Sequence, residues 1–309
     1  MAALDRVKIV GVGDSTLDYL FYSRMTHQGD AVPAVDYSIQ GGGLVATALV
    51  ACARLGAVTE LVCRLGSDVT TGMILQGLRI EGVGVDKAVY APDCRSNVSF
   101  VHVDSSTGER TIYYYRDPKL RSARVPGSWA LDDADCLLVD DTWLEAAVPA
   151  ARRAREMGVP VVADMVPSEN SAEIVSLVDI LIAPATFGRD HASNGDLRPA
   201  LRRIREMGPS TAVITVGNDG CWYADVDGEG HVPGFKVRVV DTTGAGDVFH
   251  GAFAFATSQG WETARRVEFA SAVAAIKCGD VGGRKGIPSF GDAVAWLGRE
   301  GKMNWQAFC

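Results

Sequence analysis

Val237-Arg238-Val239-Val240, then Asp241-Thr242-Thr243-Gly244-Ala245-Gly246-Asp247, then Val248-Phe249-His250-Gly251-Ala252-Phe253 reads as a strand, a glycine-rich turn and a helix of small and apolar residues. Such a turn aims several backbone N–H groups and the positive end of a helix dipole at one point, which is an anion site. Gly244 and Gly246 allow close approach of a phosphate, because no Cβ stands in the way. Asp247 falls in the first helical turn beside that anion hole. A carboxylate there can accept the proton of a hydroxyl attacking a γ-phosphoryl group. On glycine spacing alone, an aspartate that only caps the helix fits equally well. The run is not a Walker loop, since no Gly-Lys-Ser/Thr follows. Nor is it a dinucleotide fingerprint, because it lies late in the chain and carries acids where that motif has none.

The flanking sequence supplies the fold class. Val7 to Val12 is a short β-branched apolar run ending at Gly13, as in a buried parallel strand. Leu61–Leu65, Cys136–Val139, Pro160–Ala163, Ile180–Ala183 and Ala212–Val216 are further runs of this kind. Helical stretches lie between several of them: Gly41–Leu55 stopped by Gly56, Leu144–Met157 by Gly158, and Leu197–Met207 by Gly208. The alternation predicts an α/β chain, a three-layer α/β/α body on a mostly parallel sheet. Val35–Gln40, Asn97–Asp104 and Arg110–Tyr115 break the rhythm as half-exposed strands, the last two joined through Ser105-Ser106-Thr107-Gly108. They predict a small antiparallel lid contributed by about residues 14–40 and 95–116, within a single domain over 1–309. A decorative hairpin or a dimer surface is the plainer reading of the same strands.

Composition narrows the partners. The 309 residues carry a formal net charge of −8, which argues against nucleic acid or an anionic membrane as the main partner. No apolar run reaches the roughly 20 residues that span a bilayer, and Met1 to Arg6 does not read as a secretory leader. A cytoplasmic protein is expected. The seven cysteines are scattered with no Cys-x-x-Cys pair, as expected of reduced, structural thiols. The five dispersed histidines form no metal-site spacing with them.

Asp241-Thr242-Thr243-Gly244-Ala245-Gly246-Asp247-x-Phe249-x-Gly251-Ala252 resembles the C-terminal signature of the ribokinase-like (PfkB) carbohydrate kinases. Gly13-Asp14-Ser15-Thr16-Leu17-Asp18 resembles that family's sugar-binding turn, Gly41-Gly42-Gly43 its N-terminal glycine signature, and Thr215-Val216-Gly217-Asn218-Asp219-Gly220 its nucleotide-phosphate loop. The resemblance implies an ATP-dependent kinase with Asp247 as base and the amides of Gly244, Ala245 and Gly246 on the transferring phosphoryl. It implies Asp18, Gly41, Gly42 and Gly43 against the sugar, and Thr215, Gly217 and Gly220 against ATP phosphates. The helix from Ala270 to Lys277 and the loop to Gly286, including Gly283 and Arg284, would wall the nucleotide. Mg²⁺ would accompany ATP, and carbonyls near Asp241 and Thr243 would hold a monovalent cation such as K⁺. A homodimer through the lids is the family habit.

The chain also departs from the pattern. The family's Asn-x-x-Glu, tied to Mg²⁺ and phosphate handling, aligns with Pro184-Ala185-Thr186-Phe187, so both side chains are absent. Ala46 stands where many relatives have Asn, and Thr16 where ribose-phosphorylating members have Asn, so ribose is not favoured. A small ketose or related sugar, phosphorylated on a primary hydroxyl, is the leading expectation. A 2-keto-3-deoxy sugar acid is the alternative, on the strength of Tyr113-Tyr114-Tyr115-Arg116, whose Arg116 can reach inward to a carboxylate. Sulfofructose is another, suggested by the look of Gly282-Gly283-Arg284-x-Gly286-Ile287-Pro288. Its sulfonate wants cationic or amide donors where Asp30 or Ala31, Tyr114 and Thr142 stand. Outside catalysis, the missing Asn-x-x-Glu leaves a silent sugar or nucleotide sensor as the rival.

Overall fold

Alternation of side chains across buried strands builds two cores here rather than one. The structure is a computed structural model that describes residues 4–24, 31–106, 110–168, 171–302, 305 and 308. In chain order the N-terminal half comprises β1 (Lys8–Val12), β2 (Thr16–Ser23), β3 (Asp36–Gly42), α1 (Leu44–Arg54), β4 (Val58–Val62), β5 (Arg64–Leu65), α2 (Val69–Ile80), β6 (Val83–Gly84), β7 (Val89–Tyr90), β8 (Val98–Asp104) and β9 (Arg110–Tyr115). There follow β10 (Cys136–Asp140), α3 (Leu144–Met157), β11 (Val161–Asp164), α4 (Ala172–Val175), β12 (Ile180–Pro184), α5 (Ala185–Asp190), α6 (Arg198–Glu206) and β13 (Thr211–Thr215). The chain closes with β14 (Cys221–Ala224), β15 (Glu229–Val232), α7 (Ala245–Ser258), α8 (Thr263–Lys277) and α9 (Phe290–Arg299).

The large sheet has nine strands in the order β15-β14-β13-β12-β11-β10-β1-β4-β6. It is parallel from β13 to β6, and β14 and β15 add an antiparallel edge. Ile9, Leu138, Ile182 and Val213 face a core shared with α1, α2, α7, α8 and α9. Val10, Val139, Leu181 and Ile214 face the opposite core, under α3 to α6. Period-two burial on both faces explains why these runs look continuously apolar in sequence. α7 is the most enclosed helix, buried from Val248 to Thr257. Its Gly251 is required by contact, since a Cβ there would stand 2.8 Å from the Ala48 carbonyl carbon on α1.

The second sheet has the order β3-β2-β8-β9. Its strands come from two stretches of the chain, β2 and β3 before α1 and β8 and β9 after β7, with β3 running on to Gly42. It is not wholly antiparallel: β2 and β8 pair in parallel, and only the outer pairs are antiparallel. Both central strands leave the main body from the same side, so they run together. Thr107 and Gly108 of the joining turn, and Asp30, lie outside the described residues.

Two sequence expectations need correction. Val237–Val240 is not a strand; it is irregular, with Val239 and Val240 half exposed. No neighbouring strand offers it a ladder, and the N–H groups of Val240 and Asp241 bond the Cys278 carbonyl at the end of α8, at 2.8 and 3.2 Å. Leu61–Leu65 breaks at Cys63 into β4 and β5, and β5 pairs with β7 in a separate two-stranded sheet. The edge strands β14 and β15 are only four residues each, and β15 carries a charge and a glycine, so neither stands out as an apolar run. The six described cysteines are all unpaired and buried. Among the described residues no helix is long and apolar enough to cross a membrane.

Candidate active site

Parallel strands deliver their C-terminal ends to one edge of the sheet, and the acids of this chain gather there. β10 ends in Asp140, β11 in Asp164, and the loop after β1 carries Asp14. α7 starts at the same edge, on Gly244 with φ +72°. A Cβ on Gly244 would come 2.9 Å from the Gly283 Cα, so both the left-handed backbone and the space demand glycine. The Ala245 N–H donates to the Thr242 carbonyl at 3.2 Å. The first-turn N–H groups beyond it are those that a helix leaves without an intrahelical partner.

Two cavities meet at this turn. One, of about 210 Å³, is lined by Thr215, Gly217 and Gly220 after β13, by Val237 and Val239, by Ala245 and Gly246, and by Ala274, Ala275 and Cys278 of α8. It is mostly apolar, and the helix N-terminus opens at one end of it. The other, of about 260 Å³, is lined by Asp14, Thr16, Asp18, Gly43, Asn97, Ser99, Ile112, Tyr114, Arg116 and Asp247. Gly246 thus borders one cavity and Asp247 the other. Asp18 comes from the lid strand β2 and Asp247 from the body, so the second cavity lies between lid and body.

Inside it the acids are held in place. Asp18 accepts from the Thr16 hydroxyl at 2.8 Å. Burial pushes the Asp18 carboxyl up, while hydrogen bonds from Thr16 and Ser99 and the Arg284 guanidinium oppose the rise. Asp14 accepts from Asn97 Nδ2 at 2.8 Å and lies 3.4 Å from Arg116 Nη2. Its own N–H donates to Asp140 at 2.8 Å. Asp140 is wholly buried, and burial followed by the Asp14 charge raises it to about 7.

Asp247 shows the largest effect. Desolvation, then the neighbouring Asp164 carboxylate, pushes it up to about 8, with Asp18 adding to the rise and His250 and Arg284 opposing it. His250, one turn further along α7, sets its Nδ1 2.6 Å from the Gly246 carbonyl and its Nε2 3.2 Å from Asp164. Burial lowers the imidazole's pKa and raises Asp164 to about 7. The Gly246 carbonyl can only accept, so Nδ1–H donates to it, and Nε2 faces both the Asp164 carboxyl and, at 3.4 Å, the Ile182 carbonyl.

Several expected site residues lie elsewhere. Thr215, Gly217, Gly220, Ala245 and Gly246 border the first cavity, but Lys277, Gly283 and Arg284 do not. Gly283 backs the turn at Gly244 and donates its N–H to Gln40 at 3.1 Å. Arg284 is buried beneath the glycine signature, bonding the Gly42 carbonyl at 2.9 Å and the Thr47 hydroxyl at 3.3 Å. Burial lowers it to about 10 against the pull of Asp18 and Asp247. It is therefore a fixed charge behind the second cavity. Gly41 clears room for Arg284, Gly42 for the Asp18 carboxylate, and Gly43 lines the cavity. Lys277 donates to the carbonyls of Asp241, at 2.9 Å, and Thr243. These are the oxygens expected to hold a monovalent cation. The Asp241 carboxylate is occupied as well, accepting the N–H groups of Thr243 at 2.8 Å and Gly282 at 2.7 Å.

Asp14, Asn97, Asp140, Asp164 and Arg110 were not singled out from sequence. Acids at strand C-termini were the available signal for Asp140 and Asp164. Arg110, on β9, reaches across to the Thr242 hydroxyl at 2.8 Å, a contact no local pattern announces. Pro184–Phe187 does fall at the β12–α5 junction beside these acids, and its Phe187 is buried in the core.

A family model for pfkB family carbohydrate kinases matches residues 7–289. The chain belongs to that family. The kinase is 28% identical to a ribokinase of Haemophilus influenzae, over 88% of this chain and 92% of that one. It is 29% identical to a bifunctional ribokinase/ribose-5-phosphate isomerase A of Fructilactobacillus sanfranciscensis, over 80% of this chain but about half (48%) of that longer protein. Among solved structures, one of a putative ribokinase from Agrobacterium tumefaciens matches with a TM-score of 0.88 and 27% identity, covering 96% of this chain and 99% of that one. The Arabidopsis thaliana ribokinase complexed with ribose and ATP shares the fold, with a TM-score of 0.80 at 22% identity over 95% and 99% of the two chains. The kinase is thus a phosphotransferase with an alcohol acceptor, and the silent-sensor alternative is set aside.

Proposed function

We propose that the kinase transfers the γ-phosphoryl group of ATP to a primary hydroxyl of a small sugar, a ketose or related compound, with Asp247 as general base. The observation that carries this reading is the meeting of two cavities at Gly246 and Asp247. ATP lies in the apolar cavity with its phosphates toward the Gly244–Gly246 turn, and the sugar lies between Asp18, Asn97 and Asp247. The acceptor oxygen then approaches phosphorus in line from the Asp247 side. The raised Asp247 carboxylate takes the hydroxyl proton as the bond forms, and the α7 N-terminus draws charge on the transferring phosphoryl. Mg²⁺ enters with ATP as part of that substrate. Asp164 stands at the end of the strand next to the one that leads into the missing Asn-x-x-Glu, and would supply a carboxylate on that side. Closure of the lid excludes water, as the Arg110–Thr242 contact between lid and turn suggests.

One observation favours the sugar-acid alternative. Arg116 lines the sugar cavity, and a side cavity of about 170 Å³ shares Arg116 and Asn97 with it and adds Arg64 and Arg121. A substrate carboxylate pointing into that basic recess would compete with Asp14 for Arg116. The outer face of the lid, with Phe21, Tyr37, Ile39, Phe100 and Tyr113 exposed, supports a homodimer through the lids. Gel filtration of the wild type against a Tyr37→Asp variant tests that assembly. The test of function is ADP release across ketoses, pentoses, nucleosides, keto-deoxy acids and sulfofructose. Pentoses belong in the panel because relatives are ribokinases. Asp247→Asn should lower turnover on every acceptor by about 10²–10⁴-fold; a variant keeping a tenth of the activity would remove Asp247 from the role of base.

A further inference from the structure

At the phosphate turn, the carbonyl oxygens of Asp241 and Thr243 both face the buried end of α8. Backbone dipoles so arranged need a positive charge at their negative ends, and in this family's pattern a monovalent cation supplies it. In this chain the Lys277 side chain, fully buried, fills the position and donates to both carbonyls. The elements around it agree. Lys277 is the last residue of α8, where the helix dipole favours a cation. The Asp241 carboxylate faces it and is tied by N–H groups from both sides of the turn. Burial lowers the ammonium's pKa, and the Asp241 carboxylate opposes that fall.

We infer that Lys277 is a tethered substitute for the monovalent cation, so that nucleotide binding at this turn is independent of potassium. A potassium ion held by carbonyls needs several of them to replace its water shell. An ammonium carries three donors in a group of similar size and is largely satisfied by two carbonyls. Ion and ammonium therefore exclude each other from one pair of oxygens. A covalently tethered charge is also present at a high effective concentration, whatever the salt. Lys277 is a positioning residue: it holds the 241–244 turn in shape from behind and touches no substrate.

This inference rests on the reading of residues 241–247 as the phosphoryl-transfer turn, and the experiment separates the two. ADP affinity is measured by calorimetry in potassium chloride and in tetramethylammonium chloride at equal ionic strength. For the wild type the two dissociation constants should agree within about twofold. Lys277→Ala should weaken ADP by about tenfold or more in tetramethylammonium, and potassium or rubidium should restore most of the loss. Lys277→Met, which fills the space without charge, should be weakened in both salts with no rescue. Wild-type crystals soaked in rubidium chloride should show no anomalous peak at the Asp241 and Thr243 carbonyls, a readout that holds even if both variants fail to fold. A rubidium peak there, a tenfold gain in wild-type affinity on adding potassium, or a Lys277→Ala variant that binds normally or cannot be rescued would each overturn the inference. Failure of the wild type to bind ADP in any salt would instead sink the reading of the turn.

Discussion

Replacing Asp247 by Asn tests the chemistry and the electrostatics of the site together, and the two effects have opposite signs. The amide is nearly isosteric but cannot accept a proton, so turnover should fall by about 10²–10⁴-fold while ADP still binds. Stability should move the other way. In the folded kinase the Asp247 carboxyl is raised from 3.8 to about 8. Between those values the folded state holds a proton that the unfolded chain has lost, so stability drains away as pH rises through this window and the whole cost is present above it. For a fully enclosed group the cost would be about 6 kcal/mol. Asp247 is only half-buried and opens on the cleft, so solvent screening reduces the figure to about 2 kcal/mol. Asp247→Asn should therefore melt a few degrees above the wild type at pH above about 8 and show little difference near pH 4. The same titration should appear in the wild type as a rise of kcat/KM with pH, levelling off above about 8. Scanning calorimetry across pH and initial rates check both limbs. A variant less stable than wild type at high pH, or one retaining a tenth of the activity, would refute the assignment of a desolvated base.

Three other outcomes follow from the same geometry. Asp164→Asn removes the acid that most raises Asp247 after desolvation, so the kcat/KM profile should shift toward acid by up to about one pH unit; an unchanged profile would separate the two carboxyls. Gly244→Ala puts a Cβ on a backbone at φ +72° and 2.9 Å from Gly283, which should cost about 1–3 kcal/mol in urea unfolding and weaken ADP. If it does neither, the turn is not held by that contact. Arg116→Gln should raise KM for a sugar acid by tenfold or more and leave a neutral sugar within about threefold. Equal effects on both would count against a carboxylate in the basic recess.

Legibility of the site followed how local each signal was. Asp247 and Asp18 could be found because glycine turns and the signatures around them are written in consecutive residues, and α7 and β2 place both in one cleft. Arg284 is set by the resemblance only in the wall of the nucleotide site. Its place under Gly42 and Thr47, on the sugar side, depended on how the 280s loop is pinned by Arg54 through the carbonyls of Arg284 and Ile287 at 2.8 and 3.0 Å. Val237–Val240 shows the reverse failure. A β-branched run was read as a strand, but a strand exists only where a neighbour offers a ladder, and here the neighbour is the end of a helix.

By itself the glycine turn closed by Asp247 determined an anion site at a helix start, and joined to the distant signatures it determined the reaction class. Period-two apolar runs alternating with helices determined the layered sheet, since burial on both faces leaves a mark on every residue of a strand. Tertiary structure decided what lies behind and around the turn. It brought Asp164 and Asp18 close enough to raise Asp247, turned Arg116 toward the cleft, and set Lys277 against two carbonyls more than thirty residues away. Those are effects of charge and desolvation over a few ångströms between groups far apart in sequence, and no spacing along the chain encodes them.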